Sequence, residues 1–198
     1  VDKKLLKIIK KKIVVDAVNS TGGIAVPKLL KKLGVEVVEL YCNPTGEFPH
    51  NPEPLKENLF DLSSLVIDRQ ADLGIVVDPD VDRLAFVSEN GEVFGEEYTL
   101  VACADYYLKY NPGATVSNLS SSRALKDISD QNNCLHFFSA VGEVNVVELM
   151  KEKNAVIGGE GNGGVILPDL HYGRDALVGI ALFLSHLANL NISCSELR

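Results

Sequence analysis

The 198-residue sequence predicts an α/β chain of two similar three-layer domains, each a mixed, mostly parallel sheet flanked by helices. Three observations predict it. Short apolar runs alternate with helical patterns, which implies parallel pairing through right-handed crossovers. The third run of each half ends in an unusual loop, and a fourth run returns from it, which implies one antiparallel member. The whole order, strand–helix–strand–helix–strand–loop–strand, occurs twice, over residues 1–95 and 96–198.

In the first half, Ile13-Val14-Val15-Asp16 reads as a buried parallel strand. The turn-rich stretch Asn19 to Gly23 follows, then a helix to Leu33 with Pro27 near its start and Gly34 as its stop. Val35 to Leu40 is the second strand. A loop from Asn43 to Pro54 holds four prolines, and a helix is expected over Leu55 to Arg69. Leu73 to Val77 is the third strand, Asp78 to Arg83 its loop and Leu84 to Ser88 the return strand. Asn90-Gly91 is a hairpin signal.

The second half opens with a helix over Glu97 to Tyr110, stopped by Asn111-Pro112-Gly113. Strands follow at Ala114 to Val116, Leu135 to Phe138 and Ala155 to Ile157. Helices lie between them at Ala124 to Ser129 and Glu143 to Lys151. The Gly158–Gly164 segment is the loop, Val165 to Leu167 the return strand, and a last helix runs from Arg174 to Leu190.

Composition narrows the class. The chain is 46% hydrophobic and 23% charged, ordinary for a soluble globular protein. A net charge of −8 argues against a nucleic-acid or anionic-membrane partner. No apolar run approaches the roughly 20 residues of a membrane span. Cys42, Cys103, Cys134 and Cys194 form no CxxC pair, so reduced thiols in a cytoplasmic protein are expected. An N-terminus without Met or apolar leader, and an end at Arg198 straight after a helical pattern, suggest a piece of a longer chain.

The sharpest motif is Asp78-x-Asp80-x-Asp82-Arg83. Clustered carboxylates repel and raise one another's pKa, and a divalent cation removes that penalty. All-oxygen ligation suits Mg²⁺ or Ca²⁺ over zinc. An EF-hand is excluded at its sixth position, where Arg83 replaces the turn glycine. Arg83 adds a fork of donors for phosphate or sugar oxygens. The bland alternative is a solvated acidic turn with Arg83 as ion-pair partner.

The second motif, Gly158-Gly159-Glu160-Gly161-Asn162-Gly163-Gly164, has five glycines in seven positions. Such a run implies positive φ or close approach of a ligand to backbone. It lacks the Gly-Lys-Ser/Thr ending of a P-loop. Glu160 and Asn162 suit sugar hydroxyls. The alternative is a flexible loop. Of the rest, Asp175 is read as an acid in the first turn of the last helix. Arg174 is read as a surface residue, with reach to a ligand as the alternative, His50 as solvated, His136 as a partly buried strand residue and Lys10-Lys11-Lys12 as a solvated helix end.

At these two loops the sequence resembles the α-D-phosphohexomutase superfamily, which includes phosphomannomutase/phosphoglucomutase and phosphoglucosamine mutase. The resemblance extends over nearly the whole chain, through Asn51-Pro52-Glu53-Pro54, Ala71 to Ile75, Val141-Gly142, Pro168-Asp169 and Gly173-Arg174-Asp175. It implies the second and third of four domains. By resemblance, Asp78, Asp80 and Asp82 bind Mg²⁺, Arg83 is the active-site arginine, and Glu160 and Asn162 bind ring hydroxyls. Pro79 stands where the family has glycine, and Gly164 where some subfamilies have histidine. The implied partners are a hexose phosphate and the phosphoserine and C-terminal domains of the same chain, so this piece alone is expected to be inactive. The resemblance implies exchange of hexose 1-phosphate and 6-phosphate through a bisphosphate. Phosphoglucosamine mutase is the nearest alternative, and a non-catalytic sugar-phosphate or metal-binding module is an alternative of another class.

Overall fold

The computed structural model describes residues 11–198. The first sheet contains β1 (Lys12–Asp16), β2 (Glu36–Leu40), β3 (Leu73–Val77) and β4 (Leu84–Ser88), in the order β2-β1-β3-β4. β1 pairs parallel with β2 and β3, and β4 is antiparallel to β3. The second sheet contains β5 (Thr115–Asn118), β6 (His136–Ser139), β7 (Ile157–Glu160) and β8 (Gly164–Ile166), in the order β6-β5-β7-β8. Its one antiparallel pair is again the last, β7 with β8. The duplicated layout therefore extends to strand order and strand direction.

The crossover helices are α1 (Gly22–Leu33) and α2 (Phe60–Asp68) in the first half, and α4 (Ala124–Gln131) and α5 (Glu143–Lys153) in the second. α3 (Glu96–Leu108) leads into the second sheet, and α6 (Ala176–Leu190) and α7 (Cys194–Leu197) close the chain. Gly34 stops α1 in the left-handed conformation, φ +85, its N–H donating to the Leu30 and Lys31 carbonyls.

Strand alternation sorts the apolar side chains onto two faces. On the outer face of the first sheet, Val14, Val76, Ala85 and Val87 pack with Leu59, Leu62 and Val66. On the outer face of the second, Val116 and Ile166 pack with Val146 and Met150. The inner faces are shared between the halves. Ile13, Val15, Leu73, Ile75, Val77 and Phe86 of the first sheet share one buried cluster with Ile157 and Val165 of the second, joined through α1, α3 and α6. At its centre Phe183 of α6 stacks on Phe86 of β4, ring centroids 3.7 Å apart, and meets Phe94 edge-on at 5.2 Å.

Three sequence expectations need correction. The helix expected over Leu55 to Arg69 is a 3₁₀ turn (Lys56–Asn58) followed by α2. Leu59 between them is fully buried in the outer cluster, so the chain bends there to seat it. The third strand of the second half runs to Glu160 rather than ending at Ile157. Gly158 and Gly159 are strand residues, because a Cβ on Gly158 would lie 2.7 Å from both Met150 Sδ and Val116 O. Lys12 opens β1, and Lys11 pairs with Asp72 at 3.1 Å. Lys10, the remainder of that reading, lies outside the described residues.

Candidate active site

The buried β3 delivers Asp78 to the carboxyl end of the first sheet with no exposed surface. The following turn wraps around its carboxylate. Oδ1 accepts the backbone N–H of Asp82 and of Arg83, both at 3.0 Å, and Oδ2 accepts Arg83 Nε at 2.8 Å. Burial alone would raise the Asp78 pKa. The Arg83 hydrogen bonds outweigh it and hold the carboxyl below its usual range. Arg83 also reaches Glu53 of the proline-rich segment at 3.3 Å.

Asp80 is exposed and Asp82 half-buried, and one oxygen from each of the three aspartates lies within 4.8 Å of the others. Burial, then the charge of Asp78, pushes the Asp82 pKa up to about 6. Asp82 Oδ1 is buried without a hydrogen-bond partner, an arrangement that costs about 1–3 kcal/mol or more. An all-oxygen set with one orphaned, buried acceptor fits a hard divalent cation. Val81 takes φ +64, a rare conformation for a β-branched residue. Its carbonyl accepts the N–H of Ala176 at 3.0 Å, so the first residue of α6 clamps the loop.

Glu160 ends β7 at the carboxyl end of the second sheet and is 6% exposed. Its Oε1 accepts Asn118 Nδ2 at 2.7 Å, and its Oε2 accepts an Arg174 guanidinium N–H at 3.0 Å. Asn118 ends β5 and accepts the Ser121 and Ser120 hydroxyls. Asn162 Oδ1 accepts the N–H of Gly164 at 3.2 Å and pins the turn. The glycines bring protein backbone close, where the sequence suggested a ligand. Gly163 sits at φ +90, and any Cβ there would collide with the Leu84 carbonyl at the start of β4. The tight β7–β8 turn thus docks on the base of the aspartate loop.

Arg174 joins the two. Its guanidinium pairs with Asp82, with Glu160 at 3.0 Å and with Glu143 at 3.3 Å, and its side chain is 17% exposed. The surface reading of Arg174 is therefore incorrect. Its backbone bridges to Ile166 and precedes the Asp175 cap, so it lies at the edge of a sheet and not on a free helix face. Asp175 accepts the N–H groups of Leu177 and Val178, as a helix-start acid should. His50 is not solvated either. Its Nε2 lies 2.9 Å from Oδ2 of fully buried Asp16, which ties the proline-rich loop to the end of β1. Asn118 and Glu143 were not singled out in the sequence. For Asn118 the repeated layout was the signal, since it places that residue at the strand end that Asp16 occupies in the first half.

Both halves of this arrangement match one known family. Residues 2–91 match phosphoglucomutase/phosphomannomutase alpha/beta/alpha domain II and residues 95–198 match alpha/beta/alpha domain III. The chain belongs to the phosphoglucomutase/phosphomannomutase family, whose members are α-D-phosphohexomutases. It is 37% identical over its full length to the phosphoglucomutase/phosphomannomutase of Thermococcus kodakarensis, of which it covers 44%. It is 34% identical over 98% of its length to the phosphoglucosamine mutase of a Sulfurovum species, again covering 44%. The crystal structure of a phosphoglucomutase/phosphomannomutase family protein of Burkholderia thailandensis superposes on 98% of the chain with a TM-score of 0.86 at 30% identity, and 44% of that structure is covered. The chain thus spans less than half the length of these relatives. Among the described residues, no helix is long and apolar enough to cross a membrane.

Proposed function

We propose that this chain supplies the cation loop and the hydroxyl-reading loop of a phosphohexomutase that interconverts hexose 1-phosphate and 6-phosphate. In this reading residues 1–95 form the cation unit and 96–198 the sugar unit. The observation that carries it is the three-aspartate cluster with its orphaned Asp82 oxygen, linked through Arg174 to Glu160.

Asp78, Asp80 and Asp82 would hold Mg²⁺. Bound there, the ion would neutralise charge on a transferring phosphoryl group. Arg83, 29% exposed and always charged, offers its guanidinium edge to phosphate oxygens. Glu160 uses one lone-pair site on each oxygen for Asn118 and Arg174, and a carboxylate oxygen has a second site for a sugar hydroxyl. Asn162 stands at the tip of the same turn. The phosphoserine that gives and recovers the phosphoryl group, and the C-terminal domain, belong to other parts of the longer chain. Residues 1–198 by themselves therefore give no turnover. A cytoplasmic setting is part of the reading and is supported by four free thiols.

An amino sugar phosphate is the second reading, favoured by the 34% identity to a phosphoglucosamine mutase. Assays of the full-length protein on glucose, mannose and glucosamine 1-phosphates separate the two. Asp80→Asn in that protein is expected to lose most activity. Undiminished turnover at limiting Mg²⁺ would rule the cation site out.

A further inference from the structure

The Arg174 side chain touches candidate functional groups of both halves, Asp82 and Glu160, and several features aim it there. Its backbone bridges to Ile166 of β8, and its N–H donates to Glu143 Oε1 at 3.0 Å. The next residue, Asp175, caps α6, whose first N–H holds the Val81 carbonyl of the cation loop. Gly164 leaves the room for its stem, since a Cβ at that position would collide with Arg174 Cδ. The guanidinium then contacts three carboxylates from three elements: Asp82 after β3, Glu160 on β7 and Glu143 on α5.

These contacts act in opposite directions on the two loops. Through Glu160, Arg174 fixes a carboxylate whose other oxygen is held by Asn118. Glu160 is thereby kept in one orientation. Through Asp82, Arg174 occupies Oδ2 and leaves Oδ1 without a hydrogen bond, 3.9 Å from Arg83 Nε. A positive charge at hydrogen-bond distance from a ligand carboxylate also repels an incoming cation. We infer that Arg174 is a positioning residue shared by the two loops: it orients Glu160 for the sugar while competing with the cation for Asp82. The inference rests on the function proposed above.

The test uses the full-length protein with two readouts. Mn²⁺ affinity is measured by electron paramagnetic resonance on the enzyme without substrate. KM and kcat are measured with glucose 1-phosphate at saturating Mg²⁺. Arg174→Gln is expected to bind Mn²⁺ at least threefold more tightly, because the competitor and its charge are gone. The same variant should raise KM at least tenfold, because Glu160 has lost its anchor. Arg174→Lys keeps the charge without the fork. It should hold Mn²⁺ affinity within twofold of wild type and still raise KM. Gly164→Ala displaces the Arg174 stem without removing any charge, and should raise KM with residue 174 intact. A merely structural role predicts Mn²⁺ and substrate weakened together, and that result in Arg174→Gln and Gly164→Ala overturns the inference. Wild-type protein that binds no Mn²⁺, or an Asp80→Asn variant that binds it normally, overturns the cation reading itself and is read independently of Arg174.

Discussion

Glu160, buried, and His136, partly buried, show how differently two polar residues of one sheet respond to substitution. Glu160→Gln keeps the shape of the side chain and its bond from Asn118 but removes the charge that Arg174 pairs with. Charge-assisted hydrogen bonds contribute about 1.5–3 kcal/mol each. The full-length variant is therefore expected to lose about tenfold or more in kcat/KM, for the 1-phosphate and the 6-phosphate alike. Loss in one direction only would assign Glu160 to a single sugar orientation. His136 on β6 lies 2.8 Å from Thr115 Oγ1 and 3.2 Å from Ser117 Oγ, and burial lowers its pKa from 6.5 to about 4. The unfolded chain therefore binds more protons between these values, so the contribution of His136 to stability is complete above pH 6.5 and lost as pH falls to 4. Because the ring is only partly buried, about 1–2 kcal/mol is the expected size. Asp82 tilts the profile the other way, since a carboxyl raised to about 6 favours folding less as pH rises from 4 to 6. The comparison that isolates the imidazole is His136→Gln against wild type. The variant should lose less stability between pH 6.5 and 4, and parallel melting curves at every pH would count against it.

At the scale of elements, the β7–β8 turn depends most on its glycines. Gly163→Ala must accept φ +90, at about 1 kcal/mol, and a collision with the Leu84 backbone, at about 1–3 kcal/mol. A drop of about 2–4 kcal/mol in unfolding free energy is expected from urea titration, and a drop below 0.5 kcal/mol would mean the turn does not dock as described. The same turn marks the limit of sequence reading. β1, β3 and β4 were legible because apolar and β-branched runs of five residues have few alternatives beside Gly and Pro punctuation. β7 was cut short because two of its four residues are glycine, set by close contacts, Gly158 with Met150 and Val116 and Gly159 with the Gly164 backbone, rather than by strand propensity. The aspartate cluster was legible because its spacing is local. The Asp82–Arg174 pair spans 92 positions, and nothing in a one-dimensional pattern draws two such residues together. The Asp16–His50 pair was missed for the same reason, at a separation of 34.

For the whole molecule, the shared inner core predicts one unfolding transition rather than two. Phe183→Ala removes a fully buried ring stacked on Phe86, and about 3–5 kcal/mol is the expected loss. Fluorescent or isotopic probes placed in each sheet should report the same lowered midpoint. A variant in which the second sheet melts before the first would show that the halves stand alone. The stacked rings also bear on motion. Hinges form where few apolar contacts cross a boundary, and here α6 threads its phenylalanine into the sheet of the other half. Among the described residues, the aspartate loop and the Glu160 turn rest on this one shared cluster, so these two are expected to travel as a single body. On the function proposed above, a hexose that leaves, turns over and re-enters would not gain its clearance by parting them. The same reading then assigns that clearance to domains outside these residues, swinging against a fixed floor.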